Sequence, residues 1–388
     1  MKILKIIAAA SAAVLLVSCG KPAEKNIPET SFDFARSGQS IPPEFTSGLA
    51  PEQEKYSPLN YDEPVGMWLP YVDYAEYMKG KSQEEFRSSI RKKLDSAKAE
   101  GVNTVYFHAR ACGDAYYESV IFQKGEYYDG DYDPLEIAVE EAHASGMSIH
   151  AWINPLRCFT TEQAKELPEE SVMKQWTETE YMSVVDDRYY LNPAYDEAID
   201  FICIGAEEIL EKYQVDGLHI DDYFYPTTAL EFDEKAYNVQ RCGDLAQWRM
   251  DNCSRMVRRL YETVKNVNED LLFGISPQGN IDANYSTQYA DVKLWCSQEG
   301  YCDYIIPQIY FGFENENCPF TATLKKWEEI TTEDDVSLMI GLAAYKQGEE
   351  DKWAGESGEK EWIENPDIIE RQITEVKASK AVGYALYY

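Results

Sequence analysis

Eight short apolar runs, each separated from the next by a helical stretch, constrain this chain more than any other feature. Strand-like runs fall at 65–69, 103–108, 147–153, 217–221, 272–276, 304–309, 337–343 and 383–387. Helical periodicity fills 82–100, 134–145, 193–213, 245–268, 286–298, 321–330 and 366–379. The first of these opens Ser82-Gln83-Glu84-Glu85, the pattern of a capping box. Several others place proline in the first turn and stop near glycine. Consecutive strands joined through helices run parallel, because a parallel pair needs a long crossover. Eight strands with seven helices between them predict a (β/α)8 TIM barrel that ends on its last strand, and about 330 residues suits that fold with some loop insertions. An open doubly wound sheet is the alternative. No GxGxxG follows the first strand, which weakens its nucleotide-binding version.

Ahead of the barrel lie two segments of different character. Lys2 and Lys5 precede an apolar run from Ile6 to Val17, too short to read as a membrane span. The run ends Leu16-Val17-Ser18-Cys19, which resembles a bacterial lipoprotein cleavage box. Residues 1–18 are expected to be a signal peptide and Cys19 the lipidated first residue of the mature chain. Its acyl chains would hold the protein to the lipid bilayer of the cell envelope. Residues 19–60 are rich in Pro, Ser, Glu and Gly and predict a flexible tether, leaving 61–388 as the catalytic domain. The remaining eight cysteines show no CxxC and predict buried thiols. The 388-residue chain carries 36 basic and 69 acidic residues, a net charge of −33. That balance argues against nucleic acid, whose phosphates are neutralised by Lys and Arg.

In a TIM barrel chemistry sits where the strands end. The second strand ends at His108 and Arg110, followed by a loop with Asp114. The third ends with His150, Trp152, Asn154 and Arg157. The fourth runs His219, Asp221, Asp222, Tyr223 and Tyr225. The fifth opens into GISPQGN, the sixth gives Gln308 and Tyr310, the seventh Tyr345 and Lys346, and the eighth ALYY. Acids, amides, cations and aromatic rings on one rim suit a sugar: rings stack on its C–H faces and polar groups fix its hydroxyls.

Glycosidases use two carboxyls, about 5–5.5 Å apart for retention and about 6.5–9.5 Å for inversion. Side chains alternate along a strand, so Asp221 shares a face with His219 while Asp222 starts on the other. Unless the strand has already broken, the two cannot approach one bond. Asp221 or Asp222 is therefore expected to be catalytic, with its neighbour orienting it or binding a hydroxyl, and the missing partner is sought in Asp114 or Glu314. Three of the four histidines, His108, His150 and His219, sit in strands, yet HxH and HExxH are absent. No metal ion or organic cofactor is expected. There is also no GxSxG elbow.

The segments NTVYFHARACGDAYY, DPLEIAVEEAHASGMSIHAWINPLR, YLNP, VDGLHIDDYFYP, FGISPQG, DYIIPQIYF and IGLAAYK occur in one order along 61–388. This set resembles the bacterial glycosyl hydrolase-like 10 family. The resemblance implies a (β/α)8 barrel and a glycoside hydrolase of the envelope, some of whose relatives cut peptidoglycan glycan strands stripped of peptide. It carries the strand-four acids onto Asp221 and Asp222 and the strand-six amide and tyrosine onto Gln308 and Tyr310. After GISP this chain has QGNIDAN where relatives commonly have an aromatic residue and Arg, so that subsite differs. DGLHIDDY is also similar to the chitinase strand-four pattern, but Tyr223 stands where the catalytic Glu belongs, and that mechanism does not transfer. The expectation is hydrolysis of an envelope or extracellular polysaccharide by carboxylate acid/base catalysis. The alternatives are a non-catalytic glycan-binding lipoprotein and a metal-dependent deacetylase.

Overall fold

The computed structural model describes residues 56–240 and 243–388. The expected signal peptide, Cys19, the tether through residue 55 and Cys242 lie outside the described residues. The compact body begins at Tyr56, five residues ahead of the boundary expected from composition.

Eight parallel strands close into a barrel: β1 (Val65–Leu69), β2 (Thr104–Arg110), β3 (Ser148–Ile153), β4 (Gly217–Ile220), β5 (Leu272–Ile275), β6 (Tyr304–Ile305), β7 (Ser337–Ala343) and β8 (Gly383–Tyr387). β8 pairs with β1 through Val65–Tyr384, Gly66–Ala385 and Met67–Leu386, which completes the circle. The expected capping box is present: Ser82 N–H donates to Glu85 Oε2 at 2.9 Å, and Glu85 N–H donates to Ser82 Oγ at 3.4 Å. Asp133 caps the next helix, with Pro134 in its first turn.

The barrel interior is filled by rings rather than by aliphatic layers. Trp68, Tyr106, Trp152 and Tyr304 form its core with Ile306, Met339 and Ala385. Glycine on the neighbouring strand makes the room. A Cβ on Gly274 would lie 1.8 Å from the Tyr304 ring, and one on Gly66 would lie 2.7 Å from Tyr106. The polar tips find partners inside the barrel. Tyr304 Oη lies 2.8 Å from His150 Nδ1 and 3.2 Å from His219 Nδ1, and Trp68 Nε1–H donates to His219 Nε2 at 3.2 Å. A buried polar group without such a partner would cost free energy.

The structure departs from the sequence reading in three places that matter for the site. The sixth strand, expected over 304–309, keeps a regular ladder only through Ile305 and resumes pairing as isolated bridges at Gln308, with Pro307 between them supplying no N–H. The stretch expected as one helix over 286–298 is two, Ile281–Thr287 and Val292–Ser297, separated where Tyr289 takes φ 52°. After β3 comes an insert that periodicity did not flag. It is a three-stranded antiparallel sheet of Arg157–Thr160, Met182–Val185 and Arg188–Leu191. The seven described cysteines are free thiols, five buried and two partly exposed.

Candidate active site

A cleft of about 400 Å3 opens over the C-terminal ends of the strands. Its floor holds Asp221 and Asp222, and these are its only acids among the lining residues. β4 ends at Ile220, so the alternation of faces that would separate the two carboxyls no longer applies beyond it. The chain turns, Tyr223 N–H donates back to Asp221 Oδ1 at 3.3 Å, and both side chains reach the same hollow.

Their surroundings differ. Asp221 is 4% exposed. Burial drives its carboxyl well above the usual carboxylate range, and the neighbouring Asp222 adds to the push. The Tyr223 N–H, the Arg157 charge and the Trp152 indole oppose it more weakly. Asp222 is also raised by burial, but three glutamine side chains, Gln308, Gln278 and Gln288, favour its charged form. β5 and β6 deliver two of them: Gln278 and Gln308 pair as a parallel bridge just past the strand ends, and Gln308 Nε2–H donates to Ser276 O at 3.0 Å. Two close carboxyls with unequal surroundings titrate as a pair, and the pair keeps a proton to higher pH than a free carboxyl does.

Rings form the walls. Trp152 stacks on His108 with centroids 3.6 Å apart and planes 10° from parallel, and its indole N–H donates to Asn154 Oδ1 at 3.1 Å. Tyr310 and Tyr387 stack at 6.2 Å, and Tyr345 stands edge-on to both. Burial, with Arg157 adding to it, pushes the His108 imidazole well below its ordinary range, so it is neutral.

Comparison with known proteins fits this geometry. The family described as glycosyl hydrolase-like 10 matches residues 64–358. The chain belongs to the glycosyl hydrolase-like 10 family. Among its relatives, glycosyl hydrolase YngK of Bacillus subtilis is 32% identical over 69% of this chain and 58% of its own length. Glycosyl hydrolase DigH of Escherichia coli K12 is 29% identical over 92% of this chain and 85% of its own. The chain thus spans little more than half of the first relative and most of the second. Two solved structures share the fold at low identity. The PgaB (BpsB) glycoside hydrolase domain of Bordetella bronchiseptica superposes with TM-score 0.55 at 14% identity, covering 84% of this chain and 93% of that one. Alpha-L-fucosidase isoenzyme 2 of Paenibacillus thiaminolyticus gives 0.54 at 12%, covering 83% and 45%.

In this glycosyl hydrolase-like 10 chain the cleft gathers Asp221, Asp222, Trp152, Asn154, Arg157, Tyr223, Gln308, Tyr310 and Tyr345. The other residues singled out from the sequence lie elsewhere. Asp114 accepts from the Ala111 and Cys112 N–H groups at 3.0 and 2.8 Å and closes a turn outside the cleft. Glu314 is exposed on the loop after β6. Arg110 follows a register shift between His108 and Arg110 that turns it out of the barrel, over the Phe122 ring at 4.6 Å. His150 and His219 lie beneath the cleft in the barrel core, and burial lowers His150 to about 4. Tyr225 packs on Phe232 and Tyr289. Lys346 works from behind: its Nζ donates to Tyr310 O and pairs with Asp351, each at 2.8 Å. The cleft also uses Trp68, Tyr71 and Tyr387. The signal for the first two is present in GMWLPY, because the first strand, like the others, ends in rings.

Proposed function

We propose that this chain hydrolyses O-glycosidic bonds of a cell-envelope or extracellular polysaccharide, with peptidoglycan glycan strands the first substrate to try. The observation that carries this reading is the pair Asp221 and Asp222 on the floor of one ring-lined cleft. Asp221, the more deeply buried and more strongly raised carboxyl, holds the proton and delivers it to the leaving oxygen. Asp222, kept nearer its charged form by glutamine amides, attacks the anomeric carbon or activates water. Trp152, Tyr310, Tyr345 and Tyr387 stack on sugar faces, while Asn154 and Gln308 take hydroxyls. The naming of YngK and DigH as glycosyl hydrolases supports the same reaction class.

The test is a product analysis by mass spectrometry against peptidoglycan strands and a polysaccharide panel. New reducing ends are expected, and Asp221→Asn lowers their rate about 10³-fold, within the range of general acid catalysis. Oligosaccharide binding with no cleavage by the natural chain makes the protein a glycan-binding one instead.

Anchoring through Cys19 belongs to the same proposal and rests on the Lys2-to-Cys19 pattern. Labelled palmitate should enter the natural chain in a bacterial host and be absent from Cys19→Ala. Equal labelling of both rules the anchor out.

A further inference from the structure

One tryptophan is left in water. Trp353 is 88% exposed, whereas the other seven are buried or half-buried. After it, the most exposed ring among the described residues is Tyr345, at 45%. Both follow β7. Looseness does not explain Trp353, because the loop is stapled on either side of it. Asp351 is buried: its carboxylate pairs with Lys346 Nζ at 2.8 Å and accepts from Trp353 N–H at 3.3 Å, and its N–H donates to Glu359 O at 2.8 Å. Ala354 is buried too, and its carbonyl accepts from Glu316 N–H at 2.8 Å. The same segment is able to bury an indole: Trp362 packs with Ala343 and Ile368. A large ring held away from that core forgoes the apolar burial it could provide.

Lys346 ties this loop to the cleft. Its Nζ also donates to Tyr310 O at 2.8 Å, and Tyr310 and Tyr345 belong to one cleft wall. Trp353 lies two residues past Asp351, within about 7 Å of it from Cα to Cα. It does not line the cleft, so it stands outside, on the side of that wall. Its flanks are charged: Glu349, Glu350, Asp351, Glu356 and Glu359 against Lys352 and Lys360. That excess of negative charge opposes an anionic bilayer surface. A protein hot spot sits in a desolvated patch, which an indole between charged residues does not offer. A sugar needs this pairing, a flat ring for its C–H face and polar groups for its hydroxyls.

We propose that Trp353 is a distal platform for the same glycan that enters the cleft, so that long chains are held more tightly than short ones. The assignment rests on reading the cleft as a glycan site. Stacking there is remote from the reacting bond and acts on substrate and transition state alike, so it lowers KM without changing kcat.

The experiment uses Asp221→Asn, where turnover does not interfere, with peptide-free peptidoglycan glycan strands fractionated by length and size-fractionated oligomers of the polysaccharide panel. Acrylamide quenching of tryptophan fluorescence reads the exposed indole. Long strands should shield it and disaccharides should not. By calorimetry, affinity should rise about tenfold from short to long strands, and adding Trp353→Ala should erase that gain at an unchanged melting temperature. Adding Trp353→Phe should keep part of it. Equal long-strand affinity with and without Trp353→Ala overturns the assignment and leaves the cleft reading standing. Shielding by phosphatidylglycerol vesicles or by raised protein concentration, with none by glycan, overturns it in favour of a membrane or a second copy. Failure of every glycan to bind removes both readings. A length gain lost with Trp353→Ala, in a natural chain that cuts no strand, sustains Trp353 and removes only the hydrolase reading.

Discussion

β4 carries an aspartate at each end, and the two meet opposite fates. Asp216, at the closed floor of the barrel, accepts from Tyr56 Oη at 2.5 Å, Leu59 N–H at 2.6 Å and Ile149 N–H at 2.7 Å, with His143 Nε2 at 3.0 Å. Burial alone would raise it, but these partners outweigh burial and hold its carboxyl below the usual range. Asp221, one short strand away at the open mouth, has one backbone N–H contact, at 3.3 Å, with weaker help from the Trp152 indole and the Arg157 charge, and is pushed up. Both are buried. What differs is how many donors the fold supplies, and the end where donors are scarce is the end that faces a cleft. An under-satisfied acid there is poised to give up a proton, whereas the same residue at the floor is a clamp.

The floor clamp also explains why the compact body starts before residue 61. Tyr56, Leu59 and Asn60 close the bottom of the barrel through Asp216, and Asn60 Oδ1 lies 3.2 Å from His150 Nε2. Composition marked these residues as tether, yet their backbone and side chains are spent on buried partners.

Exchanging the two aspartates' chemistry sharpens the contrast. The largest effect on stability is expected from Asp216→Asn, which turns an amide donor toward several donors and should cost about 3 kcal/mol. Denaturant unfolding would show it, and a loss below about 0.5 kcal/mol would mean that the clamp is ornamental. A smaller change of opposite sign is expected from Asp221→Asn. Removing a buried, under-satisfied carboxyl should raise stability by about 1 kcal/mol even as it removes activity, the usual trade at a functional site. A lower melting temperature in that variant would count against the contrast.

The smallest effect lies in the pH dependence, where the signs must oppose. A folded-state carboxyl raised above its unfolded value loses stability as pH climbs from about 4 toward the raised value. One held below its unfolded value contributes fully above about 4 and is lost as pH falls through the depressed value. Melting curves from pH 3 to 8 should show the Asp221→Asn gain and the Asp216→Asn loss both present near neutrality and both shrinking in acid. A gain that grows in acid is incompatible with a raised Asp221.

Much of the fold was legible because strand and helix periods are local. The eight runs and their order, the Ser82 capping box and the barrel mouth as the place for chemistry follow from residue spacing alone. Within the site, Asp221, Asp222, Trp152, Asn154, Arg157, Gln308 and Tyr310 could be named from the ends of strands. Spacing along the chain misled at two points, each where a strand stops being regular. A register shift turns Arg110 outward, and the stop at Ile220 lets adjacent aspartates share a hollow. Neither event leaves a mark in hydrophobic alternation.

The order of strand ends around the mouth, and hence the presence of acids, amides and rings on one rim, was determined by the sequence itself. Which of those groups stay unpartnered was decided only by the closed barrel. Hydrogen bonds to Asp216 come from residues as far away as Tyr56, whereas Asp221 at the mouth finds few donors. Satisfaction of a buried charge is a property of everything around it in three dimensions, and spacing along the chain does not encode it.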